Sequence, residues 1–352
     1  MLWKSIASTA LLLSAFAPLG LAANPSCTCP PESGKSTQRA GVPTATGSHS
    51  QTSPATNQTE SSGGGSISSR PSSGPQFFIY SDKWMSNVLP PLEQVKGYTV
   101  FALAFLMSTG PEDQAKGWAQ LDKETRQQLK KNYNDAGIKV IVSAFGGSDA
   151  PTSYNKDPAE LGNIMAQWVI DHDLDGIDVD YEDFNAMDLR NGRAEKWVIT
   201  FTKALRSKLP QGKYIVTHAP VAPWFSKTYT SGAYRAVHKE VGDMIDWYNI
   251  QFYNQFEYEN CETLMFKSTN KYPETSLEEI ARSGIPQHKL IVGKPATVAD
   301  ASNGFIDSED LATCIQQVKD KGWSGGVMVW QYPNADARWI STVRSKSWPV
   351  GS

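Results

Sequence analysis

The chain has 352 residues and a formal net charge of −3 at pH 7, which gives no electrostatic footing for a nucleic acid or an anionic membrane as partner. Its 11 Trp, 13 Tyr and 13 Phe suffice for one large core, and a single α/β barrel fills about 250 residues.

In chain order, Met1 to Lys4 form a short basic start and Ile6 to Leu21 are apolar apart from Ser8, Thr9 and Ser14. A membrane span needs about 20 apolar residues, and this run is shorter and broken at Pro18. Ala22 and Ala23 then offer small residues for a signal peptidase, so residues 1–23 read as a signal peptide and the protein as secreted and extracellular. Residues 24–75 hold no aromatic side chain, and Val42 and Ile67 are their only large aliphatics. Such a Ser/Thr/Gly/Pro-rich segment cannot offset its ordering entropy and reads as a disordered tether. Asn57-Gln58-Thr59 within it is an N-glycosylation acceptor.

Four cysteines occur, and a secreted context favours disulfides. Cys261 and Cys314 both fall in the globular part and are expected to pair. Cys27 and Cys29 are too close to bridge comfortably, and their pairing stays open. No second CxxC pair or His cluster accompanies them, so no metal or other cofactor is expected.

From residue 76 onward, β-rich runs alternate with amphipathic stretches. Strands are predicted at Phe77–Tyr80, Tyr98–Phe105, Ile138–Phe145, Gly176–Asp180, Tyr214–His218, Trp247–Tyr253, Leu290–Gly293 and Gly326–Trp330. Helices are predicted at Leu121–Ala136, Pro158–Asp173, Ala194–Leu209, Ser276–Ser283 and Asp310–Lys321. Eight alternations read as a (β/α)₈ TIM barrel over residues 76–352, preceded by the disordered segment. An open doubly wound sheet would carry a Gly-rich phosphate loop after its first strand, and none follows Tyr80.

The chemistry concentrates in Leu174-Asp175-Gly176-Ile177-Asp178-Val179-Asp180-Tyr181-Glu182. Side chains alternate along a strand, so Asp178, Asp180 and Glu182 share one face while Ile177, Val179 and Tyr181 share the other. Packing the apolar set against outer helices turns three carboxylates into the barrel. Burying like charges is costly, and their crowding raises at least one pKa, which prepares a proton donor near neutral pH. An EF-hand loop starting at Asp178 would need Gly where Asp183 stands and Glu where Leu189 stands.

The segment resembles the DxxDxDxE signature of glycoside hydrolase family 18, of the short fungal and plant type. Ser143-Ala144-Phe145-Gly146-Gly147 is similar to the family's SxGG motif, and Gln251-Phe252-Tyr253-Asn254 to its QFYN. Trp330 stands where the family places its active-site tryptophan. The resemblance implies an endo-acting chitinase that works by a retaining, substrate-assisted route. It makes Glu182 the acid/base, with Asp180 orienting the 2-acetamido group and Asp178 sharing a proton with Asp180. Tyr253 would bond the acetamido oxygen, and Trp330 would floor the sugar. Gly146 and Gly147 would keep the cleft clear, with Tyr80, Phe105, Asn254 and Gln255 lining it. Trp224, Phe225, Tyr229, Phe256 and Tyr258 are candidate stacking platforms, though surface or core packing explains these aromatics equally well, and His218 likewise reads as core.

Gly293 to Asp310 is too short for the module that larger members insert, so an open groove is expected. Chitin or an N-acetylglucosamine-containing oligosaccharide is the implied partner of a monomer with no nucleic-acid or membrane partner. Two other readings use the same residues: an endo-β-N-acetylglucosaminidase cutting the N-glycan chitobiose core, and a secreted chitin-binding protein with little or no catalysis.

Overall fold

The computed structural model describes residues 74–351 apart from Trp84 and Ser86. The expected signal peptide and tether, with Asn57, Cys27 and Cys29, lie outside the described residues. Eight parallel strands close into a TIM barrel: β1 Gln76–Ser81, β2 Val100–Met107, β3 Lys139–Phe145, β4 Gly176–Asp180, β5 Ile215–His218, β6 Tyr248–Gln251, β7 Leu290–Pro295 and β8 Gly326–Trp330. Closure is made by β1, which pairs with β2 through Phe78 and Val100 and with β8 through Phe78 and Met328. A two-residue strand, Gly110–Pro111, pairs antiparallel with the end of β2.

Nine helices surround the barrel among the described residues: α1 Asp113–Gln120, α2 Lys123–Asp135, α3 Pro158–Asp171, α4 Phe184–Asp188, α5 Arg193–Lys208, α6 Ala233–Val241, α7 Leu277–Arg282, α8 Ser308–Lys319 and α9 Ala337–Arg344. The local signals are legible in α3. Asp157 caps it by accepting from Glu160 N at 2.8 Å, Pro158 sits at its first turn, and Leu161, Met165, Ala166 and Val169 form its buried stripe. That stripe packs on α5, whose Trp197, Val198, Phe201 and Leu205 are likewise buried.

Two apolar layers follow from strand alternation. Phe78, Val100, Ile141, Ile215, Ile291 and Met328 fill the barrel interior. Ile177, Val179 and Tyr181 instead join the helix-facing core, each fully buried. Burying one such aliphatic chain contributes about 1.5–3 kcal/mol, so the register of β4 is firmly set. A one-residue slip would put the three carboxylates among the helices.

Candidate active site

Asp178 lies at the centre of β4, in register with Ser143 of β3 and Thr217 of β5. Four donors converge on its carboxylate. Tyr80 OH and Ser143 Oγ reach Oδ2 at 2.8 and 2.9 Å, while Thr217 Oγ1 and Asn249 Nδ2 reach Oδ1 at 2.5 and 3.1 Å. Complete burial raises the Asp178 pKa, and the four hydrogen bonds oppose that rise. They occupy the four acceptor sites a carboxylate offers. The proton sharing expected between Asp178 and Asp180 is therefore not the arrangement found.

Asp180 pairs with Glu182 instead. Burial raises the Asp180 pKa well above the carboxylate range, the charges of Glu182 and then Asp178 add to it, and a carboxyl–carboxyl hydrogen bond to Glu182 completes it. Glu182 is also raised by burial, against hydrogen bonds from Gln251 and Asp180 that lower it. The shared proton thus stays on the pair at pH values where exposed carboxyls have lost theirs. Gln251 Nε2 joins the two, reaching Asp180 Oδ1 at 2.8 Å, Glu182 Oε1 at 3.2 Å and the Ala219 carbonyl at 3.0 Å. Tyr253, just past β6, has its phenol pKa raised by burial and then by Asp180, Glu182 and Asp178. It stands as a neutral donor beside all three carboxyls.

The floor is aromatic. Phe105 stacks on the half-buried Trp330 at 5.9 Å and 23°, with Tyr80 against Trp330 at 5.6 Å. Gly146 takes φ +74°, and a Cβ there would press to 2.7 Å from the Phe105 ring. At Gly147 a Cβ would stand 3.3 Å from Glu182 Oε2. Gly147 keeps space free beside the acid, and Gly146 lets the Phe105 ring lie close.

This arrangement sits at the C-terminal ends of β1, β3, β4, β6 and β8, where barrels carry their chemistry. The family model for glycosyl hydrolases family 18 matches residues 76–306, well over half of the chain. The chain belongs to glycosyl hydrolase family 18. A class III chitinase of Arthroderma benhamiae is 32% identical over 205 residues, which span 58% of each chain. The basic endochitinase of Nicotiana tabacum is 28% identical over 253 residues, covering 66% of this chain and 78% of that one. Among solved structures, a GH18 chitinase of Pseudoalteromonas aurantia is similar with a TM-score of 0.61 and 27% identity, covering 77% of this chain and 99% of that one.

Within the family frame, other expected residues fall in different places. Tyr80 is 1% exposed and serves Asp178 from beneath rather than walling the cleft. Asn254 is exposed, but its Oδ1 is engaged by Ser302 N at 2.8 Å and Ser302 Oγ at 3.0 Å. Gln255 is 8% exposed with an unpaired buried Oε1, while its carbonyl accepts from Lys271 Nζ. Of the five candidate platforms, Trp224, Phe225, Tyr229 and Tyr258 are buried, which corrects that expectation. Trp224 stacks on Tyr234 at 5.9 Å inside the helical layer, and Tyr258 bonds Thr275. Phe256 alone stands out, 71% exposed.

His218 is core. It lies between Thr202 and Tyr234, and burial, aided by Arg206, pulls its pKa down to about 3. Residues 296–307 join β7 to α8 with no inserted module, and Cys261 is bonded to Cys314 of α8. Among the described residues no cluster of His, Cys, Asp and Glu is arranged to hold a metal ion, and no helix is long and apolar enough to cross a membrane.

Thr217, Asn249 and Gln251 carry the carboxylates, yet sequence reading gave none of them a role. Their signal was a polar residue at an inward position of an otherwise apolar strand. Identifying that face required the barrel register, in which β5 pairs with β4 and β6 pairs with β5.

Proposed function

We propose that the protein is a secreted, endo-acting chitinase that hydrolyses β-1,4-linked N-acetylglucosamine polymers by a retaining, substrate-assisted mechanism. The carrying observation is the carboxyl pair Asp180–Glu182, held by Gln251 beside the Tyr253 phenol. A protonated carboxyl next to a neutral phenol suits a substrate whose own acetamido oxygen attacks C1.

In this reading the sugar ring rests on Trp330, and its acetamido group enters between Asp180 and Tyr253. Glu182 gives its proton to the glycosidic oxygen as the C–O bond breaks. The acetamido oxygen closes on C1, and its N–H turns to Asp180, whose charge stabilises the cationic ring. Tyr253 OH donates to the acetamido oxygen and orients it. Water then enters on the face the leaving group vacated, Glu182 takes its proton, and the product keeps the β configuration.

The short connection at residues 296–307 supports an open groove and internal cleavage of a long chain. The basic-then-apolar start of the sequence supports secretion, and the near-neutral charge fits an uncharged polymer. A product profile on N-acetylglucosamine oligosaccharides, run beside a high-mannose glycoprotein, tests the reading. Internal cleavage of the oligosaccharides is expected. Release of intact glycans, with oligosaccharides untouched, would reassign the enzyme to the N-glycan core, and no cleavage of either would leave a binding protein.

A further inference from the structure

Lys294, near the end of β7, is completely buried, and no step above uses it. Strand alternation turns Ile291 into the barrel and Val292 toward the helices, and Lys294 leaves on the same side as Val292. Its Nζ donates to two backbone carbonyls, Phe252 at 2.7 Å and Tyr258 at 2.9 Å. These two residues bracket the loop that carries Tyr253. Burial draws the amine down to about 7, against the opposing charge of Glu259, and either protonation state keeps two N–H donors for the two carbonyls.

The loop needs such a clamp. Asn254, Phe256 and Tyr258 have φ of +67°, +56° and +61°, a left-handed conformation that bulky aromatic residues rarely adopt. Strained backbone persists only where the surroundings fix it. The other side of the loop is tied to residues 302 and 303, where Asn303 Oδ1 accepts from Phe256 N at 2.6 Å and the Asn303 carbonyl accepts from Asn254 N at 3.1 Å. Lys294 closes the circuit from inside.

We propose that Lys294 is a positioning residue for hydrolysis, clamping both ends of the 252–258 loop so that the Tyr253 hydroxyl meets the acetamido oxygen. This rests on the role given to Tyr253 above. The test is a double-mutant cycle of Lys294→Met with Tyr253→Phe, read as kcat and KM on an N-acetylglucosamine oligosaccharide. Lys294→Met keeps the stem and removes the donors. It should lower kcat by about 10–100-fold, as a misplaced catalytic group does, with KM changed far less.

In the Tyr253→Phe background the same change should cost less than about 3-fold, because the hydroxyl it positions is already gone. Equal losses in both backgrounds, or an unchanged kcat in Lys294→Met, would overturn the proposal. If Tyr253→Phe alone leaves kcat intact, the reading of Tyr253 fails and the proposal falls with it. Lys294→Gln, which restores N–H donors one atom short, should recover part of kcat. Failure of both variants to fold would make Lys294 a stability residue and reject the positioning role.

Discussion

Gln251 places a single amide between two acids, 2.8 Å from Asp180 Oδ1 and 3.2 Å from Glu182 Oε1. One donor shared by two carboxyls holds them at a fixed separation and leaves them competing for one proton. Burial and mutual repulsion raise the pair, so one proton is retained between Asp180 and Glu182. A sugar whose acetamido N–H takes over Asp180 would release that proton to Glu182, where bond cleavage needs it.

Glu182→Gln should keep the fold and cut turnover by about 10²–10⁴-fold, the usual contribution of a general acid. Burial raises the Glu182 pKa above its ordinary value, so the acid form persists to higher pH and is lost as pH rises through that raised value. The kcat/KM profile of the native enzyme should therefore fall on its alkaline side, and Glu182→Gln should flatten that limb. Residual activity within a few-fold of the native enzyme would remove Glu182 from the role.

Asp180→Asn should separate activity from stability. The folded pKa of Asp180 is raised, so the folded state binds more protons than the unfolded one and stability falls as pH rises. The penalty is absent below the unfolded carboxyl pKa and complete above the folded one. Asparagine keeps an oxygen for Gln251 and carries no charge. Its Tm should exceed that of the native protein at pH 8 and match it near pH 3, while turnover drops sharply. Thermal scans at both pH values read this, and a lower Tm at pH 8 would contradict it.

The barrel was legible in the sequence because apolar runs such as β2 and β8 and the alternation of β4 mark strands, and all eight lie within about two residues of their predicted spans. The end of β6 shows why boundaries drift. The strand stops at Gln251: Phe252 N still bonds the Gly293 carbonyl, but Pro295 has no N–H to offer the Phe252 carbonyl, which Lys294 takes from a strand some 40 residues later. Four helices, α1, α4, α6 and α9, were not foreseen. α4 has only five residues, α1 contains Gly117, and α6 is preceded by Gly232 in a left-handed conformation. The acidic residues of β4 were readable from spacing alone. Their hydrogen-bond donors were not, because Thr217 and Asn249 reach Asp178 only through barrel register. Trp224 and Tyr258 misled for the opposite reason: an aromatic residue near a strand end packs into the helical layer as readily as it faces a sugar.

Phe256 and Trp224 offer a direct contrast. Phe256→Ala removes a ring that is 71% exposed, so it should leave Tm nearly unchanged and raise KM for long oligosaccharides by about 3–10-fold, the loss of one aromatic contact. Trp224 is 1% exposed, and Trp224→Ala should instead cost about 3–5 kcal/mol of stability, with KM unaltered in the protein that folds. An unchanged KM for Phe256→Ala across all chain lengths would show that sugars do not touch that ring.

Cys261 and Cys314 close a loop of 53 residues that carries all of β7. Constraining such a loop in the unfolded chain is worth about 4 kcal/mol. Cys261→Ala with Cys314→Ala should lower Tm by roughly ten degrees while leaving kcat close to native, since the bridge ties the outer helix α8 to the segment after β6 and not to a strand that carries a carboxyl. Equal Tm in the two proteins would mean the bridge adds nothing to stability.

The identity of the nucleophile is the sharpest test of the mechanism. A two-carboxylate glycosidase needs a second free carboxylate facing C1. Asp178 is wholly buried and saturated by four donors, so attack would require breaking hydrogen bonds with no replacement in sight. Asp180 is 4% exposed and bonded to Gln251, and in the proposed mechanism its charge is taken up by the acetamido N–H, which makes it an orienting group rather than a nucleophile. The proposed mechanism gives the attack to the acetamido oxygen of the substrate. Fully deacetylated polymer should resist cleavage, because a free amine cannot form the cyclic intermediate. A stable thiazoline analogue of that intermediate should inhibit, and Asp180→Asn should weaken its binding through the lost orienting charge. Early product observed by proton NMR should carry the β configuration. Inverted product, or brisk cleavage of the deacetylated polymer, would transfer the nucleophilic role to a carboxylate or a directly attacking water and overturn the assignment of Tyr253 and Asp180, even with the barrel and Glu182 unchanged.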